Sequence, residues 1–181
     1  MHTLILGMTE SGKTTTAKVL ISVFKRRGIK SIVLDPFNDP GFGADYQTNN
    51  SDDFLKMVWS SRKCHVYVDE SGKAIGRYNQ LMDELATTGR HWGHSCFFIT
   101  QKATQISPII RDQCGQVFLF GSGHQSCKMI AEEFNDKEFL NATALKQGEF
   151  YHKTRFGKLH KGNIFQISDA NKKGITPIDL S

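Results

Sequence analysis

Short apolar runs rich in β-branched and aromatic residues alternate along the chain with segments of helical periodicity. The apolar runs predict five strands, at residues 4–6, 31–34, 66–68, 96–100 and 117–120. The periodic segments predict helices at residues 13–27, 75–88 and near 125–134, and a further helix is expected after Ser51, ending at about Ser60. Short strands that are apolar on both faces and alternate with helices are typical of a mainly parallel α/β sheet flanked by helices, with right-handed crossovers.

Local signals refine this outline. Ser51 is expected to cap the helix that follows it, and the polar stretch 36–53 is expected to be a surface loop. Phe150, Tyr151 and residues 164–167 predict later strands that pair antiparallel, as a C-terminal extension of the sheet. No internal repeat or linker divides the chain, so residues 1–181 are interpreted as a single domain.

Composition narrows the class of protein. The formal charge of +5 and the pI near 9.0 favour a polyanionic partner, with nucleic acid one candidate. No stretch approaches the ~18 consecutive apolar residues of a membrane-spanning helix. The four cysteines are widely spaced and are expected to be reduced core thiols, as in a cytoplasmic protein: Cys64, Cys96, Cys114 and Cys127.

Residues 7–14 match the pattern G-x-x-x-x-G-K-[ST] of a phosphate-binding loop, between a predicted strand and a predicted helix. In such a loop the backbone N–H groups point at phosphate oxygens and the helix N-terminus adds positive potential. Lys13 is expected to reach the β- and γ-phosphates, and the Thr14 hydroxyl to hold Mg²⁺. A glycine turn that matches by chance is the alternative. The predicted ATP-binding residues are Gly7, Met8, Thr9, Glu10, Ser11, Gly12, Lys13, Thr14 and Thr15.

Two acidic residues follow the strand at 66–68. We expect Asp69 to orient Mg²⁺ and Glu70 to polarise the attacking water. Apolar strands often end in solvated carboxylates, so the pair alone is weak evidence. The catalytic interpretation depends on the phosphate loop upstream.

Three further polar residues are candidates for catalysis. Gln101 ends the strand at 96–100, where its amide could bond both the γ-phosphate and the water. Arg90 precedes that strand and is the leading candidate for an arginine finger that enters a neighbouring subunit's site; Arg111 is the second candidate. Compensation of a helix dipole is the simpler role for an arginine at the position of Arg90.

Taken together, these elements resemble the FtsK/HerA superfamily of DNA-pumping ATPases, which have a P-loop NTPase (RecA-like) fold. The resemblance rests on residues 7–14, on Asp35-Pro36, on residues 66–70 and on the unit from Arg90 to Gln101. It covers about residues 1–122, and the chain's compactness is most similar to genome-packaging ATPases of tailless, membrane-containing phages. Glu10 departs from the family, which often has glycine there.

The resemblance implies a Mg²⁺-dependent ATPase that threads double-stranded DNA, without sequence preference, through a homo-oligomeric ring, with a hexamer expected. It also implies a cytoplasmic location, or a position at a virion vertex with a capsid or membrane as docking surface. Two other functions stay open: a nucleotide-switched assembly factor, and a small-molecule kinase with a phosphate loop.

DNA contacts are the least readable part of the sequence. One basic stretch has Tyr151 and Phe156 interleaved among its members, and the cluster at 25–27 is a second. A solvated face is the alternative for both, and it is the favoured interpretation for 25–27. Contacts with DNA of this kind would give salt-sensitive binding without sequence specificity. The basic residues of the first stretch are Lys153, Arg155, Lys158, His160 and Lys161.

Overall fold

The computed structural model describes residues 1–69 and 77–172. Within these residues eight strands form one sheet, namely β1 (His2–Leu6), β2 (Ser31–Leu34), β3 (Tyr46–Thr48), β4 (His65–Val68), β5 (Ser95–Thr100), β6 (Cys114–Phe120), β7 (Glu149–Thr154) and β8 (His160–Asn163). The same part of the chain has six α-helices, namely α1 (Lys13–Arg26), α2 (Ser51–Ser60), α3 (Arg77–Thr88), α4 (Pro108–Gln113), α5 (His124–Glu133) and α6 (Ile164–Lys172).

The strand order of the sheet is β3-β2-β4-β5-β1-β6-β7-β8. The strands from β3 to β6 are parallel, whereas β7 and β8 pair antiparallel at one edge. This confirms the mainly parallel sheet with an antiparallel C-terminal extension. β5 lies between β1 and β4. The segments that follow these three strands therefore meet at the carboxyl ends of the strands, which we call the carboxyl edge of the sheet.

Helices cover both faces of the sheet. Helices α2, α3, α4 and α5 pack on one face, and α1 and α6 pack on the other. The central strand β1 is buried along its whole length: Leu4 and Leu6 face the first helical layer, and Ile5 faces the second. Burial on both faces explains why this strand reads as a continuous apolar run.

The predicted core thiols are confirmed, because all four cysteines are buried and free of disulfides. Burial raises the pKa of Cys96 to about 12. That of Cys114 is also raised, first of all by burial. These thiols therefore behave as small apolar core groups.

Three local predictions are wrong. Residues 164–167 begin helix α6 rather than a strand, because the Asn163 side chain accepts hydrogen bonds from the backbone N–H groups of Phe165 (3.0 Å) and Gln166 (3.4 Å). The cap of α2 is Asn50 rather than Ser51, since its side chain accepts from the N–H groups at 52 and 53. The stretch 36–53 is not all loop, because it contains β3, which pairs with β2.

The remaining elements lie close to their predicted bounds, and most differences are of one to three residues at the ends. The first part of the helix predicted at 75–88 lies outside the described residues, as does Glu70. Within the described part of the chain, no helix has the length and apolar character needed to cross a membrane.

Candidate nucleotide-binding site

The phosphate loop joins β1 to α1 at the carboxyl edge of the sheet. Its two ends are held by backbone bonds from Gly7 N–H to the Thr100 carbonyl (3.3 Å) and from Met8 N–H to the Gly121 carbonyl (2.9 Å). These bonds link the loop to the ends of β5 and β6, the two neighbours of β1. Gly12 is the N-cap of α1, so the helix's first N–H groups open onto the loop.

Two glycines of the loop are required by close packing. A Cβ on Gly7 would lie 2.5 Å from Phe120 Cβ, and one on Gly12 would lie 2.7 Å from Ile164 Cγ2. Gly12 also has φ of 115°, a conformation that side-chain-bearing residues rarely adopt. The two glycines of the motif are therefore explained by this chain's own packing as well as by phosphate binding.

A cavity of about 350 Å³ adjoins the loop. Lys13, Thr14, Asp69 and Gln101 all line it, so the structure brings together four predicted site residues from three segments of the chain. The Thr14 hydroxyl donates to Asp69 Oδ2 at 3.4 Å, and the Lys13 ammonium donates to the Met8 carbonyl at 2.6 Å. Gln101 follows β5 and therefore lies between the segments that carry Asp69 and Lys13.

Part of the wall of this cavity comes from the segment after β2, whose role the sequence did not predict. Asp35 is buried and accepts from the N–H groups of Phe37 (3.0 Å) and Asp39 (2.6 Å), so it sets the turn. Asp39 pairs with Lys18 of α1 at 2.5 Å, and the hydrogen bond from Lys18 lowers the pKa of the Asp39 carboxyl. The motif Asp35-Pro36 is the sequence feature that could have indicated this wall, because Asp35 sets the turn that shapes it.

The C-terminal extension packs directly against the phosphate loop. Gly148 N–H donates to the Ser11 carbonyl (3.1 Å), and Ile164 N–H donates to the Gly148 carbonyl (2.8 Å). The Gln147 amide donates to the Glu10 carbonyl at 3.1 Å. Sequence reasoning missed these residues because they lie more than 130 positions from the loop that they contact and match no motif.

Arg90 lies far from its own chain's cavity. It belongs to the turn Gly89–Trp92 before β5, at the amino edge of the sheet, and its guanidinium donates to Gln113 Oε1 at 2.6 Å. The side chain is exposed. The structure thus places Arg90 at the opposite edge from Lys13.

Arg111, the second finger candidate, is held within its own chain. Its guanidinium donates to the carbonyls of Ala103 (3.1 Å) and Ile106 (2.6 Å) and pairs with Glu133 at 3.2 Å. Its side chain is 11% exposed. These bonds indicate a structural role in joining α4 to the neighbouring turn and to α5.

The basic stretch near the C-terminus is partly structural. Lys153 pairs with Asp136 at 2.7 Å, and Arg155 donates to four backbone carbonyls, those of Arg111, Asp112, Cys114 and Glu133. Lys161 pairs with Glu149 at 2.9 Å, whereas Lys158 and His160 are exposed. The cluster at 25–27 is exposed on α1 and the turn after it.

The loop, the cavity and the sheet order are those of a P-loop nucleotide-binding fold, and comparison with known proteins supports an ATPase of the FtsK/HerA type. Residues 1–59 match the family model described as the central domain of helicase HerA. No curated protein sequence matches the chain. The resemblance to the FtsK/HerA superfamily is therefore confirmed by the family model and by the fold.

Solved structures share this fold across most of the chain. The genome-packaging NTPase B204 of Sulfolobus turreted icosahedral virus 2, in complex with AMPPCP, is 19% identical with a TM-score of 0.73, covering 90% of this chain and 96% of that one. VirB4 of Thermoanaerobacter pseudethanolicus is 11% identical with a TM-score of 0.68, covering 90% of this chain and 88% of that one. The pCW3 conjugation coupling protein TcpA is 13% identical with a TM-score of 0.67, covering 90% and 59%. At these identities the matches establish the shared fold.

Proposed function

We propose that this protein hydrolyses ATP to translocate double-stranded DNA, as the packaging motor of a viral genome. The observation that carries the proposal is the approach of Thr14 to Asp69 beside Lys13, in a cavity that Gln101 also lines. This constellation unites the parts that hydrolysis of a nucleoside triphosphate requires, and the fold is shared with a viral packaging NTPase. Folds of this kind host several functions. The site therefore supports ATP hydrolysis, and the structurally similar viral packaging NTPase suggests DNA as the substrate.

The chain's own residues have separate tasks in this proposal. The loop N–H groups and Lys13 bind the β- and γ-phosphates and fix the direction of the triphosphate. Glu70 follows Asp69 in sequence and is proposed as the base that polarises the attacking water. The Gln101 amide bonds the γ-phosphate and the water, and so orients one toward the other.

A divalent cation fits the oxygen ligands of the cavity. A hydroxyl and a carboxylate at 3.4 Å, together with phosphate oxygens, are the ligands that Mg²⁺ prefers. Thr14 and Asp69 would hold Mg²⁺, which when bound neutralises charge that develops on the phosphate oxygens. Asp69 is only 9% exposed, and burial strengthens its interaction with a cation.

We further propose that the working form is a homo-oligomeric ring, a hexamer, in which Arg90 of one subunit completes the site of the next. The exposed guanidinium at the amino edge supports this assignment, because it is presented away from its own cavity. A ring formed by one repeated contact needs complementary surfaces on opposite sides of the subunit. The proposed location is the host cytoplasm or a virion vertex.

DNA-stimulated ATPase activity, measured across salt concentrations, tests the proposal. Phosphate release should rise when double-stranded DNA of any sequence is added, and the stimulation should fall steeply with salt. Lys13→Ala is the matched control, and it should bind and hydrolyse ATP poorly with or without DNA.

Three results would contradict the proposal in different ways. Near-normal hydrolysis by Lys13→Ala would remove the assigned site. Slow hydrolysis that DNA does not accelerate would favour a nucleotide-switched assembly factor. Stimulation by a small-molecule acceptor instead of DNA would favour a kinase.

A further inference from the structure

The two ends of the bound triphosphate can be assigned from the cavities around the phosphate loop. The cavity with Asp69 and Gln101 accepts the γ-phosphate end. A second cavity, of about 280 Å³, lies on the other side of Lys13 and Thr14 and is lined also by Gly12 and Thr15. In a phosphate loop the α-phosphate follows the helix N-terminus away from the γ-phosphate. The second cavity is therefore the candidate exit for the nucleoside.

Two side chains of the C-terminal extension, Gln147 and Phe165, form the far wall of the second cavity. Phe165 lies in the first turn of α6 and is 40% exposed. Its ring also packs on Gly148, where an added Cβ would collide with it. One part of the ring is therefore supported while another part borders the cavity.

We propose that Phe165 and Gln147 form the base-binding subsite of the nucleotide, with the adenine ring stacked on Phe165. The inference rests on the proposed ATPase function and assigns to the C-terminal extension a direct role in substrate binding. Flat aromatic rings stack favourably on nucleobases, and a stacked base loses about tenfold in affinity when the ring is removed.

The backbone bonds around these residues hold the subsite in place relative to the loop. Ser11 is bonded to Gly148, Gly148 to Ile164, and the Asn163 side chain to the N–H of Phe165. The Gln147 side-chain nitrogen is bonded to the Glu10 carbonyl, which leaves the amide oxygen as an acceptor for an amino group of the base. A fixed distance between phosphate loop and aromatic ring is what a preorganised nucleotide site requires.

A third cavity, of about 290 Å³, is the competing location for the base. It is lined by the first half of the loop and by Gly121, Leu145, Lys146 and Gln147, so Gln147 borders both cavities. It does not include the residues of the helix N-terminus, and no aromatic side chain lines it. These two differences favour the cavity with Phe165.

Calorimetric titration with two ligands tests the subsite. The ligands are Mg²⁺-AMPPCP, which carries the base, and Mg²⁺-tripolyphosphate, which does not. Phe165→Ala should weaken AMPPCP about tenfold and change tripolyphosphate less than twofold. Phe165→Leu keeps apolar cover on Gly148 and should show the same selective loss, whereas Phe165→Tyr keeps the ring and should bind as the wild type does.

Phe156→Ala is the matched control, since it removes an exposed phenylalanine from the β7–β8 turn at the opposite edge of the sheet. It should alter neither affinity. Equal weakening of both ligands by Phe165→Ala and Phe165→Leu would mean that the ring only supports the loop, and would overturn the inference. A selective loss in Lys146→Ala, with Phe165→Ala normal, would move the base to the third cavity. A wild-type protein that binds neither ligand would contradict the proposed function itself.

Discussion

Replacing Arg90 with alanine separates a ring motor from a self-contained ATPase. In the folded chain the guanidinium makes a hydrogen bond to Gln113 and is exposed to solvent. Losing that bond should cost about 1 kcal/mol of unfolding free energy or less, which lowers the melting temperature by about 2–4 °C in a protein of this size. Arg90→Ala should therefore fold and bind ATP, because Lys13, Thr14 and Asp69 are unchanged.

The expected effect on turnover is much larger. β5 separates Arg90 from Gln101, and its six residues span about 20 Å at 3.3 Å per residue, which is beyond the reach of one side chain. A guanidinium supplied by a neighbour is worth about 10³–10⁵ in rate in related phosphoryl transfers. Arg90→Ala should thus bind ATP but hydrolyse it at least about a thousandfold more slowly.

Mixing two inactive variants tests the origin of the guanidinium. Arg90→Ala subunits keep Glu70, and Glu70→Gln subunits keep Arg90. In an equimolar mixed ring, about a quarter of the interfaces would pair an intact Glu70 site with an intact Arg90, if assembly is random and each interface repeats one contact. Phosphate release should recover toward that fraction of the wild-type rate.

Gln113→Ala is the matched control, because it breaks the same hydrogen bond and leaves the guanidinium in place. It should hydrolyse ATP at close to the wild-type rate. If the mixture assembles into rings yet stays as inactive as its components, Arg90 does not act across the interface.

Three further predictions concern the base, the core and the loop. Glu70→Gln should bind Mg²⁺-ATP yet lose about 10²–10⁴ in turnover, and weak binding with full turnover would contradict its assignment. Burial between Phe24 and Phe97 lowers the pKa of His65 from 6.5 to about 4, so the unfolded chain takes up its proton first as the pH falls below 6.5. Through His65 the wild-type protein should lose about 3 kcal/mol of unfolding free energy between pH 6.5 and pH 4, and His65→Phe should not show this loss. If urea unfolding of His65→Phe has the same pH dependence as the wild type, the reasoning is refuted. Glu10 has φ of 62°, so Glu10→Gly should relieve about 1–2 kcal/mol of strain, partly offset by backbone entropy, and a lower melting temperature would argue against strain there.

Local patterns were enough to predict most elements of the fold. β2 begins and ends where the apolar spacing placed it, and α1 begins at Lys13 as expected. The errors fall where short-range patterns are ambiguous. Residues 164–167 are apolar enough for a strand, and a single side-chain cap at Asn163 decides for a helix. The stretch 36–53 looked like a loop because β3 is only three residues long and depends on pairing with β2.

The candidate site divides in the same way. Lys13, Thr14, Asp69 and Gln101 could be found from the sequence because each follows a recognisable strand, and parallel strands end at one edge of a sheet. For the cavity wall shaped by Asp35, the sequence offered only the short motif Asp35-Pro36, which did not by itself indicate a structural role. The roles assigned to the site residues stay predictions, and Glu70 in addition lies outside the described part of the chain.

By itself the sequence determined a phosphate loop between a strand and a helix, in a mainly parallel α/β sheet, because these features depend on neighbours within a few residues. Only the tertiary structure placed β5 between β1 and β4, Arg90 at the edge opposite Lys13, and Phe165 beside the loop. These relations arise from strand pairing and packing between residues far apart along the chain, which leave no local periodicity. The position of the C-terminal extension beside the phosphate loop is an example. Gly148 is hydrogen-bonded to Ser11, and Ile164 is hydrogen-bonded to Gly148, but no spacing in the sequence indicates these contacts.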